Sequence, residues 1–327
     1  MNKMQTLDRI KDPVSNELKE FERQFKNYVK SDINFLNIIL NYIIRTKGKQ
    51  IRPLLVMLSA KMHGTTGKST IIAASLIELL HTATLIHDDV VDDSYERRGF
   101  FSINALWKSK VAVLLGDFLL SKGLLLSVDN EEFDQLKIVA TAVREMSEGE
   151  LMQIQKSRKL DIKESEYFEI IRKKTATLMA ACCACGAKSV GADSVQVENM
   201  WKFGEFLGIA FQIKDDLLDF DHHGITGKPI GNDIREKKIT LPLIYSLEMN
   251  AQGNEKKIRQ IIGKKNKTNN EVNEIIKFIK DSGGIGYATD LMNDFKNKAL
   301  AILSEYPEGP ALESLKNLAS FIIERKK

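Results

Sequence analysis

Proline is scarce in this chain, at 6 residues in 327. Proline breaks a helix interior by removing a hydrogen bond and clashing with the preceding turn. Its scarcity leaves long helices uninterrupted. Clean strand alternation is missing too, so a sheet-based fold has no signal behind it. Apolar residues instead repeat at spacings of three and four, and the chain reads as nearly all helix. Cysteine is limited to Cys182, Cys183 and Cys185, crowded into one helical stretch. Cys182 and Cys185 form a CxxC by spacing. No strand–helix–strand pattern surrounds them and no second pair completes a zinc site, so they read as an inert small-residue helix face. The N-terminus, Met1-Asn2-Lys3-Met4-Gln5-Thr6, lacks the apolar core of a signal peptide, and nothing marks secretion. No unbroken apolar run of about 18 residues occurs, so no transmembrane span is expected. A basic stripe with interleaved aromatics is also missing. The net charge of +4 therefore argues for a few phosphate contacts rather than for nucleic acid.

Composition is that of a globular chain, 43% hydrophobic and 28% charged. No internal repeat, linker or low-complexity tract divides it, so residues 1–327 read as one domain. Asp12-Pro13 reads as the N-cap and first residue of the first clear helix, with Val14, Leu18, Phe21, Phe25 and Val29 as its apolar stripe. A helix over 34–45 follows, then the basic loop 46–50, and Pro53 starts the next helix. The segment 63–69 imitates a phosphate loop. Met62 stands where that pattern needs glycine, and no strand precedes it, so the segment reads as a turn and a helix start. The helix over 70–87 is apolar on most sides, which marks the buried centre of a large helical domain. Further helices are predicted over 103–128, 133–157, 164–189 and 194–220. Residues 222–233 read as a mobile loop, and amphipathic helices fill the chain from Leu241 on, with a surface connection at 266–270.

Two acidic clusters share one layout. Asp88-Asp89-Val90-Val91-Asp92 and Asp215-Asp216-Leu217-Leu218-Asp219 both read DDxxD, each after an apolar helical run. Residues four apart lie on one helix face, so Asp88 and Asp92 point together, as do Asp215 and Asp219. Like charges so placed cost a bare helix roughly 0.2–0.5 kcal/mol per pair, and an apolar setting makes unpaired carboxylates far worse. A positive partner is required. Mg²⁺ fits, because it takes one or two carboxylates and fills the rest of its shell with water and substrate phosphates. The paired clusters thus point to an enzyme that grips a diphosphate. Phosphate-binding residue types recur nearby: Lys49 and Arg52, Arg97 and Arg98, Lys173-Lys174-Thr175, Gln212, Lys228 and Lys238. His81 precedes Asp88 by close to two turns, which puts it on the same face as a phosphate or substrate contact. His87, His222 and His223 read as structural or loop residues.

Taken together, these segments resemble the trans-isoprenyl diphosphate synthases, the polyprenyl synthetase family. The likeness is greatest to the long-chain bacterial members, the octaprenyl and heptaprenyl diphosphate synthases that make quinone side chains. It rests on 48–53, on 81–93 with Arg97-Arg98-Gly99, and on Gly116-Asp117. It rests further on Gly149-Glu150 with Gln153, Lys174-Thr175-Ala176, 211–216, and 227–229 through 240–243. The resemblance implies an all-α, single-domain isoprenoid synthase bundle of helices around a deep central cavity, a homodimer, located in the cytoplasm. It implies Mg²⁺, three ions with substrate bound, held by Asp88, Asp92 and Asp215. Asp89, Asp216 and Asp219 stand in or just behind the metal shell. Arg97, Lys174, Thr175, Gln212, Lys228 and Lys238 are the implied contacts to an allylic diphosphate (farnesyl or geranyl), with Lys174 and Lys228 acting in catalysis. Lys49, Arg52, His81 and Arg98 are the implied pocket for isopentenyl diphosphate. Peripheral membrane contact for product release is part of the same picture.

A terpene cyclase is disfavoured because the second motif here is all aspartate and the Lys49/Arg52 pocket is present. A non-catalytic subunit is disfavoured because both acidic motifs are kept. A catalytic subunit needing a small partner, or a shorter-chain farnesyl or geranylgeranyl diphosphate synthase, stays open. Product length should be set one, two and three turns before Asp88, at Ala83 and Thr84, then Leu80, then Ile77 or Leu76. No ring of Phe, Tyr or Trp lies between Thr70 and His87, which leaves room for a long chain.

Overall fold

The computed structural model describes residues 3–45, 49–97, 99–157, 161–220, 231–249 and 255–324, with backbone only at 3–6, 97 and 157. The chain builds two compact units from interleaved stretches. Met1–Val143, Ala181–Trp201 and Pro307–Leu315 form the first; Arg144–Ala180, Lys202–Tyr306 and Lys316–Lys327 form the second. Four of the five changeovers fall inside helices and leave no sign in the sequence; the fifth, at 306/307, falls in the Pro- and Gly-containing turn before residue 310.

In the first unit, α1 (Lys3–Lys11) runs through a 3₁₀ turn (Asp12–Val14) into α2 (Ser15–Tyr28), followed by α3 (Asn34–Arg45), α4 (Ile51–His63) and α5 (Lys68–Val91). The helical chain thus begins before Asp12, which lies inside it rather than capping it. Pro53 is the third residue of α4, not the first. The turn into α4 is made by Gln50 in a left-handed conformation, φ 56°. Residues 54–58 and Ala60 of α4 are completely buried, as is most of α5 up to Leu80. Each such Leu or Ile contributes about 1.5–3 kcal/mol by leaving water. That accounts for two helices apolar all round at the centre of this unit. After α5 comes a two-stranded antiparallel ribbon, β1 (Glu96–Arg97) and β2 (Phe100–Phe101). It is a short extended piece that alternation could not reveal. Then α6 (Ile103–Val128) packs along α5, with a non-helical residue at Lys108, φ 70°.

Helix α7 (Phe133–Ser157) begins in the first unit and continues in the second. The second unit goes on with α8 (Glu164–Ile171), a π-helical turn (Arg172–Ala176) and the start of α9 (Thr177–Lys188). It also holds the greater part of α10 (Ser194–Leu218), then α11 (Asn232–Arg235), α12 (Leu241–Met249), α13 (Glu255–Gly263), α14 (Asn269–Asp281) and α15 (Gly284–Leu303). α16 (Pro310–Ile323) is shared out like α9 and α10. An aromatic cluster ties the second unit together: Phe295 lies 5.5 Å from Phe168 and 6.1 Å from Phe206, ring to ring. Tyr245 and Tyr287 stack at 4.1 Å, and the Tyr287 hydroxyl donates to Glu164 at 2.9 Å.

Residues 181–188 of α9 return to the first unit. Ser59 of α4 donates to the Cys183 carbonyl at 2.6 Å, and all three cysteines are free, buried thiols. The inert helix face is what the fold shows. Two helices, α5 and α6, are long and apolar enough to cross a membrane by length and composition. In α5, 72% of the apolar window is buried within the protein, against 39% in α6.

Candidate active site

The second unit gathers most of its predicted site residues around one cavity of about 150 Å³, lined by Gln153, Tyr167, Lys174, Thr175, Gln212, Asp215, Asp216, Asp233 and Lys238 among others. Lys174 and Thr175 sit on the π-helical turn, where one unbroken helix was expected. A π turn inserts an extra residue and so rotates the helix beyond it. Two neighbouring helices close on this turn through glycine. A Cβ at Gly149 of α7 would lie 2.8 Å from the Lys174 nitrogen, and one at Gly208 of α10 would lie 2.5 Å from the Ala176 Cα. No side chain fits at either place.

The polar groups form a line. Lys174 Nζ lies 2.5 Å from Glu150 Oε2 and 3.1 Å from Gln153 Oε1. The Thr175 hydroxyl donates to Gln212 Oε1 at 2.8 Å, and Gln212 Nε2 donates to Asp216 Oδ1 at 2.9 Å. The Tyr167 hydroxyl donates to the other oxygen of Asp216 at 2.7 Å. Within the motif the three aspartates therefore differ. Asp215 is exposed. Asp216 is 6% exposed and held at both oxygens. Asp219 accepts the backbone N–H groups of Asn232 and Asp233, at 2.9 and 3.1 Å, and so caps α11. Asp219 follows the last residue of α10 and so holds α11, which carries Asp233. Lys238, at the end of the same stretch, pairs with Glu236 at 2.7 Å and lies 3.7 Å from Asp233. Next to it Lys237 takes a left-handed φ of 62°.

Burial pushes the Asp216 carboxyl up to about 7. The hydrogen bonds from Tyr167 and Gln212 pull the other way, and the charges of Asp233 and Asp215 push further up. Burial likewise raises Asp233 to about 6, helped by Asp219 and opposed by Lys238. These carboxylates crowd negative charge into a partly buried cavity, and their all-oxygen donor set fits a hard divalent cation. No three His, Cys, Asp or Glu side chains converge as a finished metal cage among the described residues. Mg²⁺ needs none, since water and phosphate complete its shell.

In the first unit, Asp88 lies half-buried in the last turn of α5, Asp89 is buried and Asp92 is the exposed C-cap residue, its N–H donating to the Asp88 carbonyl at 2.8 Å. The Asp89 carbonyl accepts the Ser94 N–H at 3.0 Å. Asp93 turns the chain with φ 48° into the ribbon that carries Arg97. The ribbon is pinned at both edges: Tyr42 donates to the Phe101 carbonyl at 2.8 Å, and Ser102 donates to the Ser94 carbonyl at 2.6 Å. Lys49 is exposed just before α4 and Arg52 half-buried in its first turn. His81 is only 7% exposed. His87 Nε2 lies 3.2 Å from the Val113 carbonyl and 3.5 Å from Asp117, so it braces α5 against α6, as a structural residue should. Of the chain-length positions, Ile77, Leu80 and Ala83 are buried, while Thr84 is half-buried and donates to the His81 carbonyl at 2.9 Å. Arg98, Lys228, His222 and His223 lie outside the described residues.

Sequence reasoning missed Tyr167, Glu150 and Asp233 as site residues. Asp233 and Glu150 stand inside segments that resemble the family, with nothing in them to single these two out. Tyr167 lies 49 residues from the aspartate it touches, and only the fold joins them.

Residues 33–279 match the polyprenyl synthetase family. The chain belongs to the polyprenyl synthetase family. It is 31% identical over 320 residues to octaprenyl diphosphate synthase of Escherichia coli, covering 98% of this chain and 99% of that one. It is 31% identical over 314 residues to heptaprenyl diphosphate synthase component 2 of Bacillus subtilis, covering 96% and 89%. A solved polyprenyl synthase from Caulobacter crescentus, complexed with calcium and isoprenyl diphosphate, superposes with a TM-score of 0.89 at 34% identity, covering 98% of each chain. The fold is the all-α isoprenoid synthase fold, and the protein is a prenyltransferase. Enzymes of this family depend on a divalent metal, in general Mg²⁺, and use isopentenyl and allylic diphosphates.

Proposed function

We propose that this prenyltransferase is a long-chain trans-polyprenyl diphosphate synthase. It joins isopentenyl diphosphate head to tail onto farnesyl or geranyl diphosphate with Mg²⁺, and its product supplies a quinone side chain. The observation that carries the reading is the line Lys174, Thr175, Gln212 and Asp216 bordering one cavity with Asp215, Asp233 and Lys238. Cations, amide and hydroxyl donors and carboxylates in one wall are what a metal-bound diphosphate requires.

In this reading the second unit supplies Asp215 as a direct metal ligand, with Asp216 and Asp219 behind it. Lys174, Thr175, Gln212, Lys228 and Lys238 hold the allylic diphosphate. The first unit supplies Asp88 and Asp92 as ligands, with Asp89 behind them and Arg97 on the allylic diphosphate. Lys49, Arg52, His81 and Arg98 take isopentenyl diphosphate. Mg²⁺, three ions with substrate bound, supplies Lewis-acid stabilisation of the charge on the departing diphosphate. Lys174 and Lys228 neutralise part of the same charge. The apolar face of α5 keeps water from the allylic cation, and the double bond of isopentenyl diphosphate attacks it. The released diphosphate takes the proton lost beside the new bond, since no side chain in these motifs is an evident base. The absence of Phe, Tyr and Trp along α5 before His87, with alanine at position 83, supports a long product of roughly six to eight isoprene units if depth follows helix rise. An exposed apolar row on α6, including Val113, Leu114, Leu124 and Leu125, supports a homodimer. We take the whole chain as one cytoplasmic domain that touches the membrane only to release product.

Purified chain is incubated with radiolabelled isopentenyl diphosphate, farnesyl diphosphate and Mg²⁺, and product length is read by chromatography. Long products that vanish with chelator are expected. Products stopping at farnesyl or geranylgeranyl length would favour the shorter-chain alternative. Activity that appears only with a second protein would make this a catalytic subunit.

A further inference from the structure

Asp216 has both carboxylate oxygens engaged, and one of the two donors is a residue outside every motif that marks the site. Tyr167 is 5% exposed, sits on α8, and its hydroxyl reaches Asp216 Oδ2 at 2.7 Å. Gln212 holds Oδ1 at 2.9 Å and is itself fixed by Thr175 at 2.8 Å. A carboxylate offers about four acceptor positions. Two are taken by these donors, which fixes the rotamer and leaves about two for whatever enters the cavity. The neighbouring Asp215 is exposed and has no such clamp from Tyr167 or Gln212. The pair thus divides into one exposed carboxylate and one set in place beside it. A phenol buried only for packing needs any acceptor at all, and backbone carbonyls are the common choice. Here it is spent on the buried aspartate of the acidic motif.

We infer that Tyr167 is a positioning residue: through its hydrogen bond it holds Asp216 so that this carboxylate accepts water bound to the metal ion that Asp215 ligates. The inference rests on the proposed diphosphate–metal chemistry of this cavity. Outer carboxylates of this kind orient metal-bound water without touching the ion, and losing such a partner typically costs about 10–100-fold in metal affinity or activity. The same hold links metal and substrate. Thr175, Gln212, Asp216 and Tyr167 form one chain of donors and acceptors, so the allylic diphosphate contacts and the metal site are set by one arrangement.

The test is Tyr167→Phe in the full-length protein, which keeps the ring and removes one oxygen. Mn²⁺ affinity is measured by electron paramagnetic resonance without substrate, Tm is measured without metal, and kcat and KM are measured over a range of Mg²⁺. The expected result is Mn²⁺ affinity about 10–100-fold weaker. The Mg²⁺ needed for half-maximal rate rises in parallel, KM for isopentenyl diphosphate is unchanged, and metal-free Tm moves little. p-Aminophenylalanine at position 167, which restores a donor, recovers affinity. Unchanged Mn²⁺ affinity, or a lowered Tm with unchanged affinity, overturns the inference. Should Tyr167→Phe not fold, Gln212→Met removes the other hold on the same carboxylate. It must weaken Mn²⁺ binding without substrate, and wild-type binding there also overturns the inference. A wild-type chain with no prenyltransferase activity that still shows the Tyr167 effect on Mn²⁺ would fault the proposed reaction and leave the positioning role standing.

Discussion

Single residues in the second acidic motif are not interchangeable, although the sequence writes them alike. Asp215 is exposed, Asp216 is clamped, and Asp219 caps α11. Asp215→Ala should lower kcat by at least about 1,000-fold, because the charge stabilisation lost with a metal ligand is worth several kcal/mol. Asp219→Ala should instead cost about 0.5–2 kcal/mol of stability through a lost cap, seen in urea melts, with a rate loss nearer tenfold. Equal rate losses in the two variants would show that Asp219 binds metal directly. Which aspartate does what was not legible, because a cap depends on where the chain returns 13 residues later. The cysteines were legible in full. Burial pushes the Cys182 thiol up to about 12 and Cys183 and Cys185 well above the ordinary range. A raised thiol pKa leaves almost no thiolate at neutral pH, and the thiolate is the reactive form. Iodoacetamide at pH 8 should label none of the three in the folded protein and all three in guanidinium. Rapid labelling of Cys182 in the native state would contradict its burial.

Elements were the most legible scale, and the misses have causes. Helices at 34–45, 103–128 and 133–157 came out at the expected bounds, because apolar periodicity there meets polar turns on both sides. The π turn could not be read, since an inserted residue leaves no mark in Arg172–Ala176, which holds neither proline nor glycine. It is held by tertiary contact, through bare backbone at Gly149 and Gly208. Deleting Lys173 should convert this turn to regular α-helix and swing Tyr167 and Thr175 out of register by about 100°. The variant should keep its helical circular dichroism but lose at least about 100-fold in activity, as misplaced catalytic groups do. Wild-type activity would show that the extra residue has no bearing on the site. On α5, regular geometry allows a test of product length. Ala83 is buried one turn before the first aspartate pair. Ala83→Tyr should block chain growth near that turn and give products of about fifteen to twenty carbons while the first condensation survives. An unchanged product distribution would mean that the chain grows along another path.

The whole molecule poses the question of what covers α6. Val113, Leu114, Leu124, Leu125 and Val128 are exposed, and their spacing puts them on one side of the helix. Apolar rows of this extent mark interaction sites in soluble proteins. A membrane is one candidate cover, since α6 is long and apolar enough to span one. Yet Lys110, Asp117 and Lys122 lie within the same helix, two of the three on its exposed surface. Charges inside a spanning segment are costly unless they face other protein or water. A second copy of the chain is the better cover, because a self-complementary protein surface buries the leucines and offers polar partners to Lys110 and Asp117, which share their face. A homodimer was expected only through resemblance: periodicity shows that α6 is apolar, but not which side the fold leaves open. Leu114 and Leu125 are eleven residues apart and share a face. Each Leu buried on association is worth about 1.5–3 kcal/mol, and an aspartate there adds the cost of burying a charge. The wild-type protein should therefore sediment at twice the chain mass without detergent, and Leu114→Asp with Leu125→Asp should sediment as a folded monomer with unchanged helical circular dichroism. A double variant that still sediments as a dimer would place the subunit contact on a different face.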